Sequence, residues 1–134
     1  MKKYEELEHT ADLKVRIYGR DMRELFANAS WALAELLAEP SQLTFQEERT
    51  LSLEADDYPM LLVDWLSELL YLLEVEGTLL VAQRITGLSP SRISATLVGA
   101  KPGTIKQEIK AVTYHDLEIV EGKEGCQATV VFDI

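Results

Sequence analysis

The stretch Leu13-Lys14-Val15-Arg16-Ile17-Tyr18-Gly19-Arg20-Asp21-Met22-Arg23-Glu24-Leu25-Phe26 contains a change of period that organises the reading of the rest of the chain. Leu13, Val15 and Ile17 alternate with Lys14, Arg16 and Tyr18, the twofold repeat of a strand with one buried face. Gly19 stops the strand. Asp21 lies three residues before Glu24, the spacing of a capping box with Asp in the capping role. Met22, Leu25, Phe26, Ala29, Leu33, Leu36 and Leu37 then recur at helical intervals, which predicts an amphipathic helix ending before Pro40.

Further along, Leu51, Leu53 and Ala55 alternate with Thr50, Ser52 and Glu54, so a second strand precedes the turn Asp56-Asp57-Tyr58-Pro59. A second helix, roughly Pro59 to Val75, carries apolar residues nearly all round, with Asp64, Ser67, Glu68 and Tyr71 as a narrow polar stripe. Such a helix must be buried on most sides. Gly77 ends it as a residue that tolerates positive φ. The remainder reads as strands over Leu79–Thr86, Arg92–Val98, Lys110–Val120 and Gln127–Ile134, separated by Gly- and Pro-containing turns. Two helices among six strands, with the second half unbroken by helices, predict an α+β fold: a largely antiparallel sheet packed with two α-helices.

At 134 residues the chain is the size of one ordinary domain, and we read residues 1–134 as a single unit with no linker. Hydrophobic residues make up 47% and charged ones 27%, which excludes collagen-like, disordered and disulfide-framework classes. No stretch of 18 residues is free of charge, so no membrane span is expected. Thirteen Lys and Arg stand against 23 Asp and Glu, a net charge of -10. That surface repels phosphate backbones, so direct nucleic-acid binding is not expected and a basic protein partner or a cation fits better. The single Cys126 cannot form an intramolecular disulfide, and Met1 to Glu6 lack the apolar run of a secretory signal, so a cytoplasmic location is expected.

The common catalytic templates are absent: there is no Walker loop, G-x-G-x-x-G, H-E-x-x-H or C-x-x-C. His9 and His115 each sit beside carboxylates at the edge of a predicted strand, an arrangement shared by a held general base and by ordinary polar residues at strand ends. Cys126 reads as a small core hydrophobe. Asp12 precedes a strand, a common turn position. Val130, Val131 and Phe132 run into Asp133-Ile134, so a side-chain carboxylate and the α-carboxylate of Ile134 are held together at a strand end. Two such anions repel, and an oxygen-seeking divalent cation such as Ca²⁺ or Mg²⁺ relieves that cost. Nothing in the spacing brings Asp12 to Asp133.

Taken together, several segments resemble the archease family, small proteins that work with RtcB-type RNA ligases in tRNA splicing. They are Glu8-His9-Thr10-Ala11-Asp12 followed by Gly19, Leu25-Phe26, Leu62-Val63-Asp64-Trp65-Leu66-Ser67-Glu68-Leu69-Leu70, Glu108-Ile109-Lys110-Ala111-Val112-Thr113-Tyr114-His115, and Phe132-Asp133-Ile134. The resemblance implies a protein with no reaction of its own, which promotes guanylylation of the ligase by GTP and its repeated turnover. It implies a metal site of Asp12, Asp133 and Ile134, with Ca²⁺, Mg²⁺ or Mn²⁺ as the ion, and a functional Lys110. His9 and His115 are further candidates. The chain departs from many members at Gly99-Ala100-Lys101-Pro102-Gly103, where Gly-Glu and then a His are common, and His115 is not obligatory in the family.

Two readings from other classes stand beside this one. The apolar girth of the second helix could serve oligomerisation or client binding, as in a chaperone-like module for a tRNA-modifying enzyme such as a tRNA methyltransferase. A small metal-dependent hydrolase using His9 or His115 as base has only the paired polar motifs in its favour.

Overall fold

A computed structural model describes residues 2–7 and 12–134. Along the chain it contains β1 (Tyr4–Leu7), β2 (Leu13–Gly19), α1 (Met22–Leu37), β3 (Glu47–Glu54), α2 (Tyr58–Glu76), β4 (Leu79–Ser89), β5 (Arg92–Ala100), β6 (Ala111–Gly122) and β7 (Gly125–Asp133). Every strand pair is antiparallel, and the α+β reading with two helices holds. The strands form two sheets, ordered β1-β2-β7-β6 and β3-β5-β4, where the sequence suggested one. Alternation reveals which face of a strand is buried but carries no information on which strand lies beside it. The short β1 also escaped the sequence reading, because its half-buried residues show no alternation.

Local chemistry sets the helix ends. Asp21 Oδ1 accepts from Glu24 N at 2.8 Å, as the capping spacing predicts. Glu24 reaches back one residue further than in a capping box, its carboxylate accepting from Arg20 N at 3.0 Å and from the Arg20 guanidinium. Asp57 caps α2 in the same way, accepting from Met60 N at 2.9 Å. Gly77 closes α2 with φ 72° and its N–H on Leu73 O, the left-handed cap expected of it.

The helices pack against the inner faces of both sheets. Val15, Ile17, Ala128, Val130 and Phe132 of the four-stranded sheet and Ile93, Ala95 and Leu97 of β5 share one core with Phe26, Leu33, Trp65, Leu66 and Leu69. The fully buried Trp65 indole donates to Phe26 O at 3.0 Å, fastening α2 to α1. In addition, α1 covers the edge of β4. Ser30 Oγ accepts from Ala82 N at 2.9 Å, Trp31 Nε1 donates to Ala82 O at 3.2 Å, and Arg23 donates to Ile85 O at 3.0 Å. These contacts lie where the β4–β5 register slips, between Ala82 and Arg84 and between Ile85 and Gly87. They occupy backbone groups that an open edge would offer to another chain. Ser30→Ala leaves the buried Ala82 N–H without its acceptor and is expected to cost about 1–3 kcal/mol in urea denaturation. An unchanged midpoint would mean that water replaces the hydroxyl.

Candidate functional site

The four-stranded sheet brings the candidate residues together by register. The β2–β7 ladder ends at the pair Leu13↔Phe132, so Asp12 and Asp133 are the next residues on the two chains. On the other side of β7, Ala111 pairs with Asp133, and Lys110 N donates to Asp133 O at 2.7 Å. Asp12, Lys110, Asp133 and Ile134 therefore meet at one end of the sheet, which supplies the link that the linear spacing lacked. Phe132 is fully buried, so alternation turns Asp133 to the opposite, outward face. Asp133 and Lys110 are exposed, Asp12 is half-buried, and Ile134 lies just past the end of β7.

The donor chemistry suits a hard cation. Among the described residues no three His, Cys, Asp or Glu side chains come together, so an ion at this end would need Asp12, Asp133 and a further oxygen such as the terminal carboxylate. Lys14, which the sequence marked only as a polar residue of the first strand, pairs with Val131, two residues before Asp133. It stands two residues after Asp12, which precedes β2, and its ammonium lies 3.7 Å from Asp116 Oδ2. The i, i+2 spacing from Asp12 is the signal that could have found it.

His115 meets the same Asp116 carboxylate that Lys14 reaches. It sits in a bulge of β6, where the register jumps from Thr113↔Val131 to Glu118↔Thr129, so residues 114–117 oppose Val130 alone. Asp116 within it adopts φ 54°, a left-handed conformation that Asp tolerates. The His115 ring is largely exposed, 3.4 Å from the neighbouring Asp116 carboxylate. His9 lies outside the described residues. Cys126 is a core residue as expected. Burial raises its thiol to about 11, and its Sγ lies 3.6 Å from Gly19 O, which makes it a structural thiol and no nucleophile.

Two helices packed against antiparallel sheets, with a pair of carboxylates and a lysine at one sheet end, define a small α+β protein with an oxygen-rich candidate site. The model of the Archease protein family (MTH1598/TM1083) matches residues 4–134, and the chain belongs to the archease family. Protein archease of Methanosarcina barkeri is 38% identical over 141 residues, covering 99% of this chain and 97% of that protein. Among solved structures, the solution structure of Methanobacterium thermoautotrophicum protein 1598 aligns with TM-score 0.84 and 31% identity over 100% of both chains. The crystal structure of an archease from Thermotoga maritima, described as a possible chaperone, aligns with TM-score 0.70 and 25% identity over 96% of this chain and 94% of that one. Among the described residues, no helix is long and apolar enough to cross a membrane.

Proposed function

We propose that this protein is a non-catalytic activator of an RtcB-type RNA ligase, promoting ligase guanylylation and repeated turnover in the cytoplasm during tRNA splicing or RNA repair. The observation that carries the reading is the meeting of Asp12, Lys110 and Asp133 at one sheet end in a chain of the archease family. Asp12, Asp133 and the α-carboxylate of Ile134 hold a divalent cation, Ca²⁺, Mg²⁺ or Mn²⁺, through oxygen alone. When bound, the ion supplies positive charge that neutralises phosphate oxygens during nucleotidyl transfer. Lys110, anchored through its backbone to Asp133, adds a compact ammonium charge to the same end. The net charge of -10 lets the protein approach the positive channel of an RNA-gripping enzyme without competing for RNA.

The test is a multiple-turnover ligation with a cognate ligase, GTP and Mn²⁺, in which added protein raises both the rate and the number of turnovers. Turnover that is unchanged across a titration of the protein removes the activator reading. A C-terminal tag, which converts the Ile134 carboxylate to an amide carbonyl, is expected to weaken metal binding and activation, whereas a tag at Met1 leaves both intact. Support for a second reading, a chaperone-like module for a tRNA methyltransferase, comes from the description of the Thermotoga relative and from Tyr71 and Val75, large apolar residues exposed on α2. That reading expects a higher soluble yield of the client with no dependence on GTP.

A further inference from the structure

Away from the carboxylate cluster, an open apolar groove of about 470 Å³ lies between the C-terminal ends of α1 and α2 and the segment 102–109. Leu37, Leu70, Leu73 and Ile109 line it, and Ile105, 42% exposed, stands at its lip. One wall is well anchored: Lys106 N donates to Leu37 O at 2.7 Å, and Gln107 Nε2 donates to Leu36 O at 3.1 Å. The only charged residues lining the groove are Glu74 and Glu108, and neither forms an ion pair among the described residues. Both helices also direct their negative C-terminal ends here, and neither has a basic residue in its last turn. The nearby cations are already engaged, Lys106 with Glu39 at 3.3 Å and Lys101 with Thr78 Oγ1 and Glu76 O.

An apolar groove flanked by two carboxylates that form no ion pair among the described residues selects an occupant with aliphatic or aromatic anchors and flanking positive charge. We propose that this groove docks a basic amphipathic segment of a partner protein, its apolar side chains on Leu73 and Ile105 and its Lys or Arg residues beside Glu74 and Glu108. Ile109 of the groove directly precedes Lys110 along the chain, so a partner engaged at the sheet end has this surface within reach of the same interface. The proposal does not depend on metal binding.

The probe is a short Leu/Lys amphipathic peptide, compared with the same peptide carrying Glu in place of Lys and with one carrying Ser in place of Leu. Binding to the intact ¹⁵N-labelled protein is followed by NMR titration. The Leu/Lys peptide is expected to bind saturably, with shifts confined to residues 70–77 and 102–109. Its affinity should fall about tenfold in the double variant Glu74→Lys/Glu108→Lys and in Ile105→Asp, whose exposed position tolerates the change. Asp133→Asn should bind the peptide unchanged, so failure here and failure of the metal-site reading are distinguishable. Equal binding of either control peptide, or shifts spread over the acidic surface, would overturn the proposal. Self-association in sedimentation velocity that Ile105→Asp abolishes would also overturn it, since a second copy of this chain would then be the occupant.

Discussion

Asp12→Asn and Asp133→Asn are each expected to abolish ligase activation while changing the stability of the metal-free protein by no more than about 1 kcal/mol. Both substitutions keep the shape and hydrogen-bonding reach of the side chain and remove only the charge. Asp133 is exposed and its backbone oxygen, which Lys110 N holds, is untouched, so the sheet end keeps its geometry. At the proposed site a divalent ion would lose one of two anionic side-chain ligands, and oxygen sites are tuned mainly by the number of such charges. Calorimetric titration of Ca²⁺, Mg²⁺ and Mn²⁺ reads the binding directly. Thermal melts give a second readout: an ion at about 100 times its Kd stabilises the wild-type protein by about 2.7 kcal/mol, and both variants should lose that increment. A turn-capping Asp12 predicts the opposite pattern, with about 0.5–2 kcal/mol lost in the absence of metal and activation retained by the folded fraction. That result would remove Asp12 from the ligand set.

Gly19→Ala is expected to be strongly destabilising. A Cβ at Gly19 would lie 2.4 Å from Leu25 N and 2.7 Å from both Asp21 O and Leu25 Cα, all of them backbone in or beside the first turn of α1. A flexible side chain could move aside, but a capped helix end can do so only by losing the Asp21 cap or its seat on β2. The penalty should reach about 3 kcal/mol, the upper part of the usual overpacking range. For a chain of this size that lowers Tm by roughly 10 °C. Gly103→Ala is the control, since nothing lies within 4 Å of the added carbon and the mutation should be nearly neutral. At a temperature where the Gly19 variant remains folded, metal affinity and activation should be intact, because Gly19 lies at the opposite end of β2 from Asp12. Equal melting of the two variants would mean that the strand-to-helix junction is more pliant than its contacts indicate.

The amino-acid sequence by itself determined the elements whose cause is local. Alternation at Leu13, Val15 and Ile17 marked β2, the Asp21 cap and the helical recurrence from Met22 marked α1, and Gly77 marked the end of α2 as a residue that tolerates positive φ, which it adopts at 72°. It also identified Cys126 as a core residue, since a lone cysteine between strand residues has few other uses. Tertiary structure alone decided what depends on partner choice. The division into two sheets, the pairing of β7 between β2 and β6, and so the meeting of Asp12 with Asp133 across more than a hundred residues follow from which strands adjoin, and alternation is silent on that. The same holds for the bulge that sets His115 beside Asp116 and for the groove between the two helix ends. Periodicity records whether a residue faces the core; only the packed chain determines what it faces there.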